Sequence, residues 1–277
     1  MPARPAPAFL LPILLALTAG CGGSGTPMTQ SASPYTFSGD WGTRLPPGVA
    51  PGNAPIGAFV GTLSASNGMI SGMLTPLFSN SIAPACGSTS FTPAPVSGTI
   101  DSGGNLTLTL PVGGGTATLT ATLSTNPETL VNGMYKVTGG TCAMPSTAMQ
   151  IGQFAPLTGT YSGTFNAVNL LSGQPLAGTS TAITAVLTQS TTPNSNGQFP
   201  ITGMVTVTGA CSASFSFSSD SFVWGGNLLG FGDPSYGLGA ASDPAGISAI
   251  ALFTNDVGGK QCPYNNQYTF EGTLTRQ

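Results

Sequence analysis

With no histidine in its 277 residues, the chain is closed to nucleophilic catalysis by a Ser–His pair. Lysine bases are scarce. Lys136 and Lys260 each lie near a cysteine, and no Ser-x-x-Lys spacing precedes either, so both read as solvated strand-end residues. Paired carboxylates are the remaining acid–base set. Asp220, Asp233, Asp243 and Asp256 fall in one segment, yet Asp233-Pro234 and Asp243-Pro244 are turn starters, because an Asp side chain caps a turn and Pro fixes φ. Calcium binding is the sharper alternative for these four, against a spacing that lacks the alternating acids of a compact calcium loop. Glycosidase-type chemistry comes third. Isolated cysteines without histidine make poor zinc ligands. These residue types assign no catalytic residue, no metal site and no cofactor.

Aromatic side chains give the better binding signal. Phe215, Phe217, Phe222, Trp224, Phe231 and Tyr236 concentrate in the second half, with Tyr264 and Tyr268 following. Flat rings on an uncharged sheet face can stack on sugar rings while Asn and Ser bond the hydroxyls. Phe215 and Phe217 share one strand face, which reads as core packing. Trp41, Trp224, Tyr236 and Tyr264 are the candidate stacking residues.

The elements that must position these groups are strands. Apolar residues alternate with Thr, Ser or Gly over residues 58–64, 105–110, 116–123, 205–208 and 215–218, the pattern of half-buried antiparallel strands. Ser66-Asn67-Gly68 and the stretch from Pro111 to Gly115 are turn chemistry. Glycine (40 residues) and proline (24 residues) would cost any helix heavily. The expected fold is all-β, in two tandem antiparallel domains, as meander barrels or alternatively sandwiches, with no substantial helix after the leader.

The tandem organisation rests on an internal repeat. Ser38-Gly39-Asp40-Trp41 matches Ser162-Gly163-Thr164-Phe165, Cys86 matches Cys211, Cys142 matches Cys262, and Gly152-Gln153-Phe154 matches Gly272-Thr273-Leu274, all at nearly one offset. The domains are then 35–156 and 157–277. Among the three connectivities open to four cysteines, the repeat selects Cys86–Cys142 and Cys211–Cys262. Each bridge would close a loop of roughly 50 residues, worth roughly 4 kcal/mol on the chain-entropy model.

Residues 8–19 form an apolar run too short for the ~20 residues of a spanning helix, and small residues follow it, as in a secretory signal. Leu17-Thr18-Ala19-Gly20-Cys21 resembles the lipobox of bacterial lipoproteins, with Thr18 where that family most often has Leu. The resemblance implies removal of residues 1–20 and lipidation of Cys21, the cysteine left over from the two bridges. Gly22, where an Asp would signal inner-membrane retention, leans the resemblance towards the outer membrane or cell surface. Residues 21–34 read as a flexible tether. Gly39-Asp40-Trp41 also resembles the Gly-x-Trp opening strand of lipocalin-like barrels, with Phe165 in place of Trp in the second half. The spacing of Cys211 and Trp224 resembles that of immunoglobulin domains, without an equivalent in the first half.

Charge narrows the partners. Eight acids stand against five basic residues, Arg4 of the leader included, and charged residues are 5% of the chain. Nucleic acid needs a basic stripe to neutralise phosphates, and none exists here. Low net charge with 40% hydrophobic residues argues against disorder. The uncharged surface that follows has little to titrate, so the fold should tolerate acid. The expected protein is a lipid-anchored, exported cell-envelope protein with a non-enzymatic binding or structural role. Binding of carbohydrate or of a small apolar ligand is the alternative, and a hydrolase with paired carboxylates is third. A fatty-acid probe should label the wild-type protein in cells and leave Cys21→Ala unlabelled; label retained by the variant contradicts the anchor.

Overall fold

The structure is a computed structural model that describes residues 33–46, 56–78, 92–126, 128–169, 171–209, 212–232, 236–243, 246–253 and 268–277. Cys21 and the leader lie outside them. Among the described residues there is no helix, hence none long and apolar enough to cross a membrane.

Eight strands form a closed meander barrel: β1 (Phe37–Arg44), β2 (Ile56–Ser66), β3 (Met69–Phe78), β4 (Ala94–Ile100), β5 (Asn105–Val112), β6 (Gly115–Thr122), β7 (Val131–Thr138) and β8 (Met144–Phe154). Each pairs antiparallel with its neighbour, and β8 closes on β1 with Trp41 opposite Gln153. The sandwich alternative is thereby not the fold of this half. Asn67 and Gly68 have φ of 52° and 76°, the left-handed pair that a two-residue hairpin between β2 and β3 requires.

The remaining strands form a second, nine-stranded antiparallel sheet: β9 (Gly159–Asn169), β10 (Thr181–Gln189), β11 (Phe199–Thr208), β12 (Ala213–Ser216), β13 (Phe222–Trp224), β14 (Asn227–Phe231), β15 (Tyr236–Asp243), β16 (Gly246–Phe253) and β17 (Tyr268–Arg276). β11 carries β12 and β13 along one edge and β10 along the other. β9 pairs with both β10 and β17, so the pairings run in a circuit. Its fourth position is split between two short strands, because the turn through Ser218 and Ser221 interrupts the run.

Alternation places the core. β10, Thr-Ala-Ile-Thr-Ala-Val-Leu-Thr-Gln, is buried and exposed at strictly alternate residues, as a period of two demands. Trp41, Phe59, Leu108 and Leu119 are fully buried at the centre of the first barrel. Phe165, Val205, Leu238 and Phe270 do the same in the second sheet. Trp41 and Phe165 occupy corresponding places, each on the first strand of its sheet beside the last. β8 ends at Phe154 and β9 begins at Gly159, while residues from Ala32 to Gln277 together make one compact unit. Phe165→Ala is expected to destabilise by about 3–5 kcal/mol. Val186→Ala, on the outer face of β10, should change stability by less than about 0.5 kcal/mol; urea unfolding measures both.

Candidate functional site

The two sheets meet at the outward face of β1. Trp41 points into the barrel, so Asp40 and Gly42 point out, where the turn between β13 and β14 covers them. Asp40 is 3% exposed. Its Oδ1 accepts the Gly225 N–H at 2.8 Å and its Oδ2 the Gly226 N–H at 2.8 Å. Gly225 and Gly226 have φ of 56° and 75°. A Cβ on Gly225 would stand 2.3 Å from Val60 Cγ1, and one on Gly226 would stand 2.2 Å from the Phe154 ring. Only a side-chain-free turn reaches this carboxylate. From the other side, Ser242 N–H and Oγ both donate to the Gly226 carbonyl at 2.9 Å. Burial pushes the Asp40 pKa from 3.8 to about 7, against the opposing pull of the two N–H bonds.

A corresponding turn in the barrel is satisfied differently. Between β4 and β5, Asp101 Oδ1 accepts the N–H groups of Gly103 and Asn105 at 2.8 and 2.9 Å, and Oδ2 accepts Asn105 Nδ2 at 2.8 Å. Asp101 is solvent-exposed, and its bonds to Asn105 hold its carboxyl below the usual range. The β13–β14 turn has Val223 where this turn has Asp101, and so takes its acceptor from Asp40.

Beside the Asp40 contact runs a cleft of about 390 Å³ lined by both sheets. Phe154 and Ser242, which hold the glycine turn, are part of its wall. Leu130 belongs to the barrel side; Leu157, Ile247 and Leu274 belong to the other, with Glu128 and Arg276 as the charged groups. Arg276 lies against Gly159, where a Cβ would meet Nε at 3.0 Å. It also neighbours Tyr161, whose pKa burial raises and the Arg276 charge lowers.

A second recess, of about 280 Å³, sits at one end of the second sheet between Asn194, Gln198, Pro200, Asp220 and Phe222. Its amides are pre-set. Asn194 Oδ1 accepts the N–H groups of Asn196 and Gln198 at 2.9 and 3.1 Å, and Asn194 Nδ2 donates to Gln198 Oε1 at 3.0 Å. Phe222 and Trp224 stand on the same outward face, edge to face at 6.5 Å. Leu229, opposite Phe222, and Phe231 are 42% and 44% exposed. Gly237, Gly239 and Ala241 of β15 lie next in register, a low shelf beside the aromatic ridge.

The sequence-derived candidates separate accordingly. Trp224 is half-buried on the outer face, with an indole Nε1 that is buried and unpartnered. Trp41 is 0% exposed, and this corrects its reading as a stacking residue: its ring packs 4.5 Å from Phe37 inside the barrel. Tyr236 contributes its backbone to β15, and Tyr264 lies outside the described residues. Phe215 and Phe217 are core residues, 6.4 Å apart. Cys142 is 1% exposed, close enough to Gly113 that a Cβ there would meet its Sγ at 2.7 Å. Cys86, Cys211 and Cys262 lie outside the described residues, as do Asp233 and Asp256. Asp243 ends β15 opposite Gly246, and Asp220 is exposed at the polar recess. Among the described residues no three His, Cys, Asp or Glu side chains gather as a metal site. Sequence reasoning missed Asp40, Arg276 and the Gly225-Gly226 turn as functional positions. The Gly-Gly pair was a legible turn signal, but nothing local pointed to its acceptor.

Comparison with protein-family models, with curated proteins and with solved structures gives no match.

Asp40→Ala leaves two buried N–H groups unsatisfied and should cost about 1–3 kcal/mol for each. Because the folded pKa is raised from 3.8 to about 7, the Asp40 contribution is complete below about pH 4 and is lost as pH rises through about 7. Chemical denaturation at several pH values should show this fall in the wild type, on the order of 4 kcal/mol, and not in Asp40→Asn. Equal pH profiles for the two proteins would remove the assignment.

Proposed function

We propose that this protein is an exported, lipid-anchored binding protein of the cell envelope, non-enzymatic, which holds a neutral oligosaccharide on the outer face of its second sheet. The observation that carries this reading is the outward-facing row Phe222, Leu229 and Phe231, half-buried at Phe222 and exposed at the other two, beside a recess of pre-set amides and one carboxylate, Asp220. A sugar ring offers an apolar C–H face and a rim of hydroxyls, which an aromatic ridge and an amide-lined recess match respectively. The few charges on the chain suit a neutral ligand. The alternative of a small apolar molecule inside a barrel is less well supported, since Trp41, Phe59, Leu108 and Leu119 fill the barrel's centre. The hydrolase reading has one carboxylate, not two, among the residues of this recess.

The anchor in this proposal is lipid on Cys21, at the outer membrane or cell surface. The tether from residue 21 to residue 34 would reach about 20 Å as a flexible coil, enough to lift the sheets off a bilayer. The bridges Cys86–Cys142 and Cys211–Cys262 would staple the two halves. Their support is that Cys142 is buried and that export supplies an oxidising compartment.

A glycan array followed by calorimetric titration of the best hit tests the reading. Phe222→Ala and Asp220→Ala are each expected to weaken binding roughly tenfold, about 1.4 kcal/mol, with melting unchanged in Asp220→Ala because that side chain is exposed. Absence of any glycan ligand, or wild-type affinity in both variants, sinks it.

A further inference from the structure

We propose that the cleft between the two sheets is a separate ligand site, built for a small carboxylate with an apolar body, and that Arg276 is its anchoring residue. The cleft holds about 390 Å³, within the roughly 300–1,000 Å³ of small-molecule sites, which favour such junctions. Its walls divide by chemistry. Leu130, Phe154, Leu157, Ile247 and Leu274 give an apolar surface drawn from both sheets. Arg276 supplies a permanent positive charge at that surface, in a chain with few basic residues.

Arg276 is exposed at the rim of the cleft, and three observations bear on its guanidinium. Gly159 leaves room for it: φ there is 141°, and a Cβ would meet Arg276 Nε at 3.0 Å, so the side chain lies along the β9 backbone. It also stands beside Tyr161, a residue that is 4% exposed. No ion pair occupies it among the described residues, so its paired donors stay open to a carboxylate, which they bind in a bidentate fork. A carboxylic acid with an aromatic or branched body meets both the apolar walls and the guanidinium.

The probe is 3-phenyllactate, titrated into the full-length mature protein with methyl-labelled Leu and Ile and followed by NMR. Saturable shifts are expected at Leu130, Leu157, Ile247 and Leu274. The neutral amide of the same acid should bind at least tenfold more weakly. Arg276→Gln should lose tenfold or more, Arg276→Lys should retain part of the affinity as a point charge, and Glu128→Gln should bind as well or better once the cleft's acid is gone. Phe222→Ala should leave this binding untouched, which separates it from the oligosaccharide face. Equal binding of acid and amide overturns the proposal, as do wild-type affinity in a folded Arg276→Gln protein, shifts confined to other methyls, or no saturable shift at all.

Discussion

A carboxylate shut away from water receives two successive backbone N–H groups across the seam between the sheets. Everything about the seam follows from the difficulty of that arrangement. A buried charge without a cation is costly, so the donors must come close and be correctly aimed. Three glycines allow the approach: Gly42 clears the β1 surface, and Gly225 and Gly226 turn their amides towards it. A Cβ on Gly42 would stand 2.9 Å from the Gly225 Cα. Phe154 then closes the seam against water, and Ser242 fixes the far side of the turn. The cleft depends on this contact for its shape, because Phe154 and Ser242 belong to both.

The rest of the molecule avoids charge almost entirely. Outer faces carry threonine where another protein would carry lysine or glutamate, as in β5 and β6, where Thr107 faces Thr120 and Thr109 faces Thr118. Hydroxyl pairs such as Ser38 with Ser64, at 2.9 Å, link neighbouring strands without ionic help. Such a coat gives no long-range field, so recognition must be by shape, stacking and hydrogen bonding at short range. Where a charge does occur in a recess, as at Asp220 or Arg276, it is therefore informative.

The strands were legible because a period of two is local. NLTLTL and TATLTATL state their faces residue by residue, and Asn67-Gly68 states its turn. The centre of each core was half legible: Trp41 was visible as a motif residue, yet its inward direction depends on the closure of β8 onto β1 from far along the chain. Asp40 was invisible as a functional residue for the same reason, since its donors lie 185 and 186 residues away. The split of the fourth position into β12 and β13 escaped notice because Phe215 to Ser218 reads as an unbroken strand, and the turn after it is set by bonds to Phe231. The cleft draws its walls from residues 128–161 and 242–276, and no local pattern announces it.

The two glycine turns differ in a way that bears on assembly. A head-to-tail contact between like units has a face and a complementary face, and if every unit kept both, copies would add without limit into fibres. Here the barrel keeps the acceptor, Asp40, while its own turn is already occupied by Asp101. The second sheet keeps the hungry turn, Gly225-Gly226, while Thr164 stands where the barrel has Asp40. Asp40 and Asp101 are thus both engaged within the one chain, and neither carboxylate has its backbone donors to spare for a second copy.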